Sequence, residues 1–237
     1  MADGARISRS ETLAQLGGFL AGAVATAGLK AADSIAATDG ETRGEGPAGV
    51  ASGAVTCVLA PEQTEGPFYL DDAKVRRNIT EEKTGVPLAL KLKVVDASSC
   101  KAIRGALVDA WHCDAAGVYS GVQGAGDDRF LRGIQRTDAK GVATFSTIYP
   151  GWYPGRTVHI HVLVHIGGNV VHTGQLYFPD AVTDAVFRRS PYNRRPSRNP
   201  RNAGDSIYRN GGERSTLKAV RSGAGYVGSI TMGVVRS

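Results

Sequence analysis

The sequence predicts an all-β fold, an antiparallel β-sandwich, and three observations lead there. Short apolar stretches recur from Pro87 onward between turn signals, and several alternate apolar and polar residues with β-branched side chains. The breaks between them carry Asp, Gly, Ser and Pro, and no run between them is long enough to supply the crossover helices of a parallel sheet. A chain of 237 residues is long enough for one well-buried core and an appendage, and its 31 glycines and 10 prolines fit a turn-rich architecture.

Taken in order, residues 1–37 read as an export signal or a disordered tail, a flexible N-terminal leader in either case. Arg6 and Arg9 precede a mild glycine- and alanine-rich run, and small residues suited to cleavage follow. The two arginines are not adjacent, so a twin-arginine reading is imperfect. The run is also weaker than the roughly 20 apolar residues that span a bilayer, so no stable membrane span is expected. An exported location follows from the first reading and a cytoplasmic one from the second. Residues 38–56 are small and polar enough to be a linker, which leaves 57–237 as the folded domain.

Within the domain the strand candidates are "LALKLKVVD", "GALVDAWHC", "GVATFSTIYP", "RTVHIHVLVHI", "NVVHTGQLYF" and "GYVGSITMGVV". "PDAVTDAVFRR" is the one modest helical candidate there. No internal repeat is visible. The formal net charge is +6, and residues 187–202 hold six arginines without regularly interleaved aromatics, a pattern read as a solvated loop and not as a nucleic-acid surface. Cys57, Cys100 and Cys113 lack the paired short spacing of a zinc cluster. In an exported protein one disulfide with one cysteine left over fits; three pairings are open, with Cys100–Cys113 favoured because the two flank a strand, and three reduced thiols fit equally well.

Two of the chain's five histidines stand one residue apart in "WYPGRTVHIHV". On a strand, Val158, Ile160, Val162, Val164 and Ile166 share one face, and His159 and His161 share the other, so their imidazoles converge on one point. That is how a sheet presents two metal ligands, although a lone strand histidine is ordinarily a hydrogen-bonded core residue. His165 shares the face but lies further along. A zinc or copper site built on the pair lacks further histidine or cysteine partners nearby in sequence. Tyr153, in the turn "PGWYPGR", and Tyr119, just past the strand ending near Trp111, are candidates to complete such a site, although each alone is ordinarily a turn or core tyrosine.

"TEGPFYL", "VDAWHCDAAGVYSG", "RTDAKGVATFSTIYPGWYPGR", "HIHV" and "GQLYFPD" occur in this order, and together they resemble the intradiol ring-cleavage dioxygenases, the catechol, hydroxyquinol and protocatechuate 3,4-dioxygenase family. The likeness covers about residues 57–235, and the leader, linker and three cysteines resemble the family's exported bacterial branch. It implies a transthyretin-like sandwich holding non-haem Fe(III) through Tyr119, Tyr153, His159 and His161. Phenolate is a hard anionic oxygen donor suited to Fe(III), and two of them disfavour reduction to Fe(II). The implied substrates are a catechol-type ring and O2, the implied product a cis,cis-muconate-type acid, with no NADH or flavin.

The resemblance further implies that Tyr153 is both ligand and acid/base group, displaced when catechol chelates as a dianion. Arg156 would stabilise carbanion character on the ring, and Gln175 would support the iron pocket. Thr64, Gly66 and Pro67 would line the substrate mouth. His112 and His172 have no ligand counterpart. The helical dimerisation domain or partner subunit of established aromatic-degrading members is not evident, so a homo-oligomer is left open. The rival outside enzymes is a module that binds aromatic polymer or carbohydrate around a vestigial site.

Overall fold

The computed structural model of the chain describes residues 59–122 and 126–235. The leader and linker assigned to residues 1–56 lie outside the described residues. Eight strands form two four-stranded sheets. They are β1 (Pro87–Asp96), β2 (Leu107–Trp111), β3 (Arg132–Arg136), β4 (Val142–Ile148), β5 (His159–Ile166), β6 (Asn169–Tyr177), β7 (Lys218–Ser222) and β8 (Gly225–Val234). One sheet runs in the order β4-β1-β8-β7 and the other in the order β3-β2-β5-β6.

The alternation read in the sequence sets which side chains meet between the sheets. Leu88, Leu90, Leu92 and Val94 of β1 and Phe145 of β4 share one buried cluster with Val108, Ala110, Ile160, Val162, Val164 and Leu176 of the facing sheet. Period-two patterning thus gives each sheet one inward apolar face, and burying both faces is the main driving force for the sandwich. All strand pairs are antiparallel except β1 and β8, which run parallel from Leu88↔Tyr226 to Asp96↔Val234. The expected antiparallel sandwich is therefore mixed at one pair. Two strands so distant in the chain need no tight turn between them, so either direction is sterically open.

β3 and β7 are edge strands that the hydrophobic pattern does not announce. "KAVRS" of β7 buries little, and "RGIQR" of β3 is polar at both ends. α1 (Asp180–Phe187) fills the one helical stretch expected, and a four-residue helix α2 (Ser206–Arg209) follows. Among the described residues no helix is long and apolar enough to cross a membrane.

The favoured Cys100–Cys113 disulfide does not form. Cys113 is a buried free thiol, while Cys100 is disulfide-bonded; the chain's other cysteine, Cys57, lies outside the described residues. Cys113 ends up under the Trp111 side of the second sheet, where its Sγ faces the Gly151 carbonyl at 3.6 Å. The two positions flank β2 and so stand toward its opposite ends, whereas a disulfide needs Cα atoms within about 4.4–6.8 Å.

Candidate active site

The outer face of the β3-β2-β5-β6 sheet is not left to solvent. β5 is buried along both faces for its first six residues, because loops cover the side that points away from the sandwich core. Register aligns the covered residues across three strands: Trp111 stands opposite His161, His161 opposite Gln175, and His159 opposite Tyr177. Trp111 stacks on His161 with ring centroids 4.9 Å apart and planes 10° from parallel.

Both histidines point their Nε2 atoms at one place, 3.0 Å apart. His159 Nδ1 lies 2.6 Å from the Thr157 carbonyl oxygen, which makes Nδ1 the protonated nitrogen and leaves Nε2 as a bare lone pair. His161 Nδ1 is buried without a hydrogen-bond partner among the described residues. The Tyr153 hydroxyl lies 3.1 Å from His159 Nε2, and the Tyr119 ring packs edge-on to both Tyr153 (5.7 Å) and His161 (6.1 Å). The sequence pair and the two distant tyrosines therefore form one contiguous cluster.

Electrostatics in this cluster oppose charge on the bare side chains. Burial, then the Arg156 guanidinium, pushes His159 down to about 3. Burial and then His159 hold His161 well below the usual imidazole range. Both rings are neutral, as metal ligands must be. Burial raises the Tyr119 phenol well above its ordinary value and raises Tyr153 too, with Arg156 pulling Tyr153 the other way. A cation between them reverses that direction, since it stabilises the phenolate directly.

Does the donor set fit ferric iron? Two neutral imidazoles converge with a phenol, and a second phenol packs against them. The oxygen donors beside the histidine pair are the Tyr153 hydroxyl, 3.1 Å from His159 Nε2, and the Tyr119 phenol, whose ring packs against Tyr153 and His161. That combination of nitrogen and hard phenolic oxygen suits Fe(III) and leaves out the carboxylate of an Fe(II) facial triad. The residues fit. Cys113, six residues before Tyr119, packs in the same cluster, where its Sγ faces the Gly151 carbonyl and burial pushes its thiol up to about 12.

Arg156 reaches into the same place. Its Nη1 stands 3.4 Å from His159 Nε2, its Nε donates to Asp205 Oδ2 at 2.9 Å, and its Nη2 donates to Gln175 Oε1. Gln175, fully buried, also accepts from the Tyr177 hydroxyl (3.1 Å) and donates through Nε2 to the Thr64 carbonyl at 2.8 Å. Gln175 is thus a brace that ties Arg156 to the segment crossing the cluster. Asp205 is the other brace. Burial would raise its carboxyl, yet hydrogen bonds from the Thr157 and Tyr208 amides and the pairing with Arg156 hold it below the usual range.

The "TEGPFYL" segment lies over the cluster. Gly66 has φ +75°, and a Cβ there would come within 3.2 Å of His161 Cε1, so glycine is required for both conformation and approach. Thr64 Oγ1 accepts from the Gly66 amide at 3.1 Å, closing that turn. Pro67, next to Gly66 in this segment, is exposed. Phe68, to which the sequence reading gave no role, stacks on Tyr119 at 4.4 Å and meets Tyr153 edge-on at 6.0 Å. Trp111 and Asp205 were also missed. Strand register signalled Trp111; only tertiary folding brings in Asp205. His112 and His172 are ordinary polar partners, of Thr147 and Glu62 respectively.

Two tyrosines, two histidines and an arginine thus gather on the outer sheet face under a covering segment, and comparison with known proteins gives the family. A family model described as Dioxygenase matches residues 64–187. An intradiol ring-cleavage dioxygenase from Tetranychus urticae superposes with a TM-score of 0.72 at 36% identity, covering 76% of this chain and 95% of that one. The dioxygenase domain of a dioxygenase carbohydrate-binding protein fusion from Streptomyces sp. SirexAA-E gives 0.61 at 31% identity, covering 76% of this chain and all (100%) of that one. The chain belongs to the intradiol ring-cleavage dioxygenase family.

Among curated proteins, catechol 1,2-dioxygenase 1 of Acinetobacter lwoffii is 32% identical over 100 residues, which is 39% of this chain. The chain matches about a third of that relative's length, 32%.

Proposed function

We propose that this chain cleaves catechol-type rings between the two hydroxyl-bearing carbons, placing both atoms of O2 in a cis,cis-muconate-type product. The observation that carries the reading is the convergence of His159 Nε2, His161 Nε2 and the Tyr153 hydroxyl within 3.1 Å contacts, with the Arg156 guanidinium beside them. In this reading Tyr119, Tyr153, His159 and His161 hold Fe(III). Bound there, the ion would supply a Lewis acid that takes the two catechol oxygens and draws electron density out of the ring.

The protein groups divide the remaining work. Tyr153 would accept a proton from a catechol hydroxyl as substrate enters, and burial favours the phenol form that results. Arg156 faces the ring with a fixed positive charge, which stabilises the negative charge that develops on carbon as it attacks O2. Gln175 and Asp205 fix the direction of that guanidinium, so no reorganisation is needed during reaction. Phe68 and Gly66 close over the cluster and limit water. The Tyr119 ring, fully buried and stacked beneath Phe68, is read as the ligand that stays in place.

The site, not the sandwich, carries the claim. We also propose that the protein is exported; a disulfide at Cys100 supports this, because such bonds persist in oxidising compartments. The functional test is oxygen uptake by iron-loaded protein given catechol, hydroxyquinol and protocatechuate, with muconate-type product followed by its absorbance. Stoichiometric uptake of one O2 per ring, with both labelled oxygen atoms in the product, is the expected result. Product cleaved beside, and not between, the hydroxyl-bearing carbons would overturn the proposal.

A further inference from the structure

The two histidines of the cluster are held in different ways. His159 is oriented by a hydrogen bond, since its Nδ1 stands 2.6 Å from the Thr157 carbonyl oxygen. His161 Nδ1 is buried and has no hydrogen-bond partner among the described residues. A metal-binding imidazole ordinarily gives its second nitrogen to a carboxylate, a carbonyl or a water, and that partner sets the orientation of the ring. Among the described residues, packing sets the plane of His161 instead.

Trp111 supplies the contact. It is the last residue of β2, 1% exposed, and strand register puts it opposite His161 on β5. Residues directly opposite on one sheet face have their side chains within reach of each other. Here the two rings lie nearly flat on one another, 10° from parallel with centroids 4.9 Å apart. The other rings around His161 meet it at an angle, Tyr119 at 63° and His159 at 74°. The indole is itself braced from the covering segment, where the Tyr69 ring tilts against it at 5.1 Å. Gly66 bounds a different motion: a Cβ there would come within 3.2 Å of His161 Cε1, so the backbone limits how far that edge can swing. The indole face limits tilting of the ring plane.

We propose that Trp111 is the positioning residue of His161, its indole face doing by stacking what the Thr157 carbonyl does for His159 by hydrogen bonding. The inference rests on the reading of His161 as a metal ligand. An imidazole that shares its Nε2 lone pair with a cation takes on positive character, and the electron-rich face of an indole attracts that character more strongly than a smaller ring does. Stacking therefore favours the ligating form of His161, beyond filling the space beside it.

Two variants separate the aromatic face from volume alone: Trp111→Phe keeps a ring, and Trp111→Met fills much of the space without one. In full-length, metal-free protein the proton signals of the His161 ring report the stacking, because a ring laid flat on an indole has its Cε1–H and Cδ2–H resonances displaced upfield. That displacement should persist in reduced form in Trp111→Phe and vanish in Trp111→Met. Affinity for Fe(III), measured by competition with a chelator well below the unfolding temperature of each variant, should fall roughly 10–100-fold in Trp111→Met and by less in Trp111→Phe. Upfield signals that survive Trp111→Met, or equal Fe(III) affinities in the two variants, would overturn the proposal. Wild-type protein that binds no Fe(III) would instead overturn the ligand set, and the metal-free spectra would still decide whether Trp111 holds the ring.

Discussion

Gly66 combines a left-handed backbone with a close approach to a proposed ligand. Its φ of +75° and the 3.2 Å approach of a virtual Cβ to His161 Cε1 mean that Gly66→Ala must move either the covering segment or the imidazole. Iron affinity should fall by roughly 10–100-fold, as for other groups that orient a metal ligand; a metal titration showing unchanged affinity would contradict this placement. Gln175→Leu tests a different link. It leaves the Thr64 carbonyl and one Arg156 N–H group unmatched while removing no proposed ligand. The expected loss is roughly 10–100-fold in kcat, with KM nearly constant and the iron-bound spectrum unaltered. A loss confined to KM would make Gln175 a binding residue instead of a brace. At this scale the sequence was most legible where motif and strand period agree, as for His159 and His161. It was least legible for Phe68 and Asp205, whose roles depend on which ring or guanidinium the fold brings beside them.

At the scale of elements, β3 shows how an edge strand can matter more than its pattern suggests. Its first residue, Arg132, is 1% exposed and donates through Nε to Ser120 Oγ (2.9 Å) and through Nη2 to the Ser120 carbonyl (2.8 Å). Ser120 follows Tyr119, so β3 reaches through one side chain to the segment that carries a proposed ligand. Arg132→Met keeps the bulk of the stem but frees that segment; it should lower the thermal midpoint and also broaden or shift the iron-bound visible band. A variant that loses stability with the band unchanged would limit Arg132 to a structural role. By contrast, Leu90→Ala in β1, fully buried between the sheets, should cost about 2–5 kcal/mol in denaturant unfolding without altering the site. The six strands with clear alternation could be read from sequence because one face of each is apolar. β3 and β7 could not, since an edge strand buries less and its register is set by its neighbour. The β1–β8 parallel pairing also escaped, because pattern fixes faces but not direction.

For the molecule as a whole, pH dependence offers a check on the buried charges behind the site. Asp109, 2% exposed on β2, has its carboxyl raised from 3.8 to about 7, first by burial and against the pull of Arg132. A raised carboxyl binds its proton more tightly in the folded chain than in the unfolded one. Its contribution to stability is therefore full below about 3.8 and is lost as pH rises through about 7. Asp109→Asn should flatten the stability profile between pH 4 and about 8, measured as denaturant midpoints; an unchanged slope would show that Asp109 ionises normally. The sandwich and the family likeness were legible from patterning and ordered motifs. The cysteine pairing was not, because two residues that flank a strand stand toward its opposite ends and not side by side.

The central claim is that Tyr119 and Tyr153 join His159 and His161 around ferric iron, and the anaerobic visible spectrum of the iron-loaded protein addresses it most directly. A broad band from phenolate-to-iron charge transfer is expected. It should weaken in both Tyr119→Phe and Tyr153→Phe, shift when catechol is added, and bleach on admission of O2. Iron-loaded protein that is colourless, or whose band survives both substitutions, would contradict the account at its base.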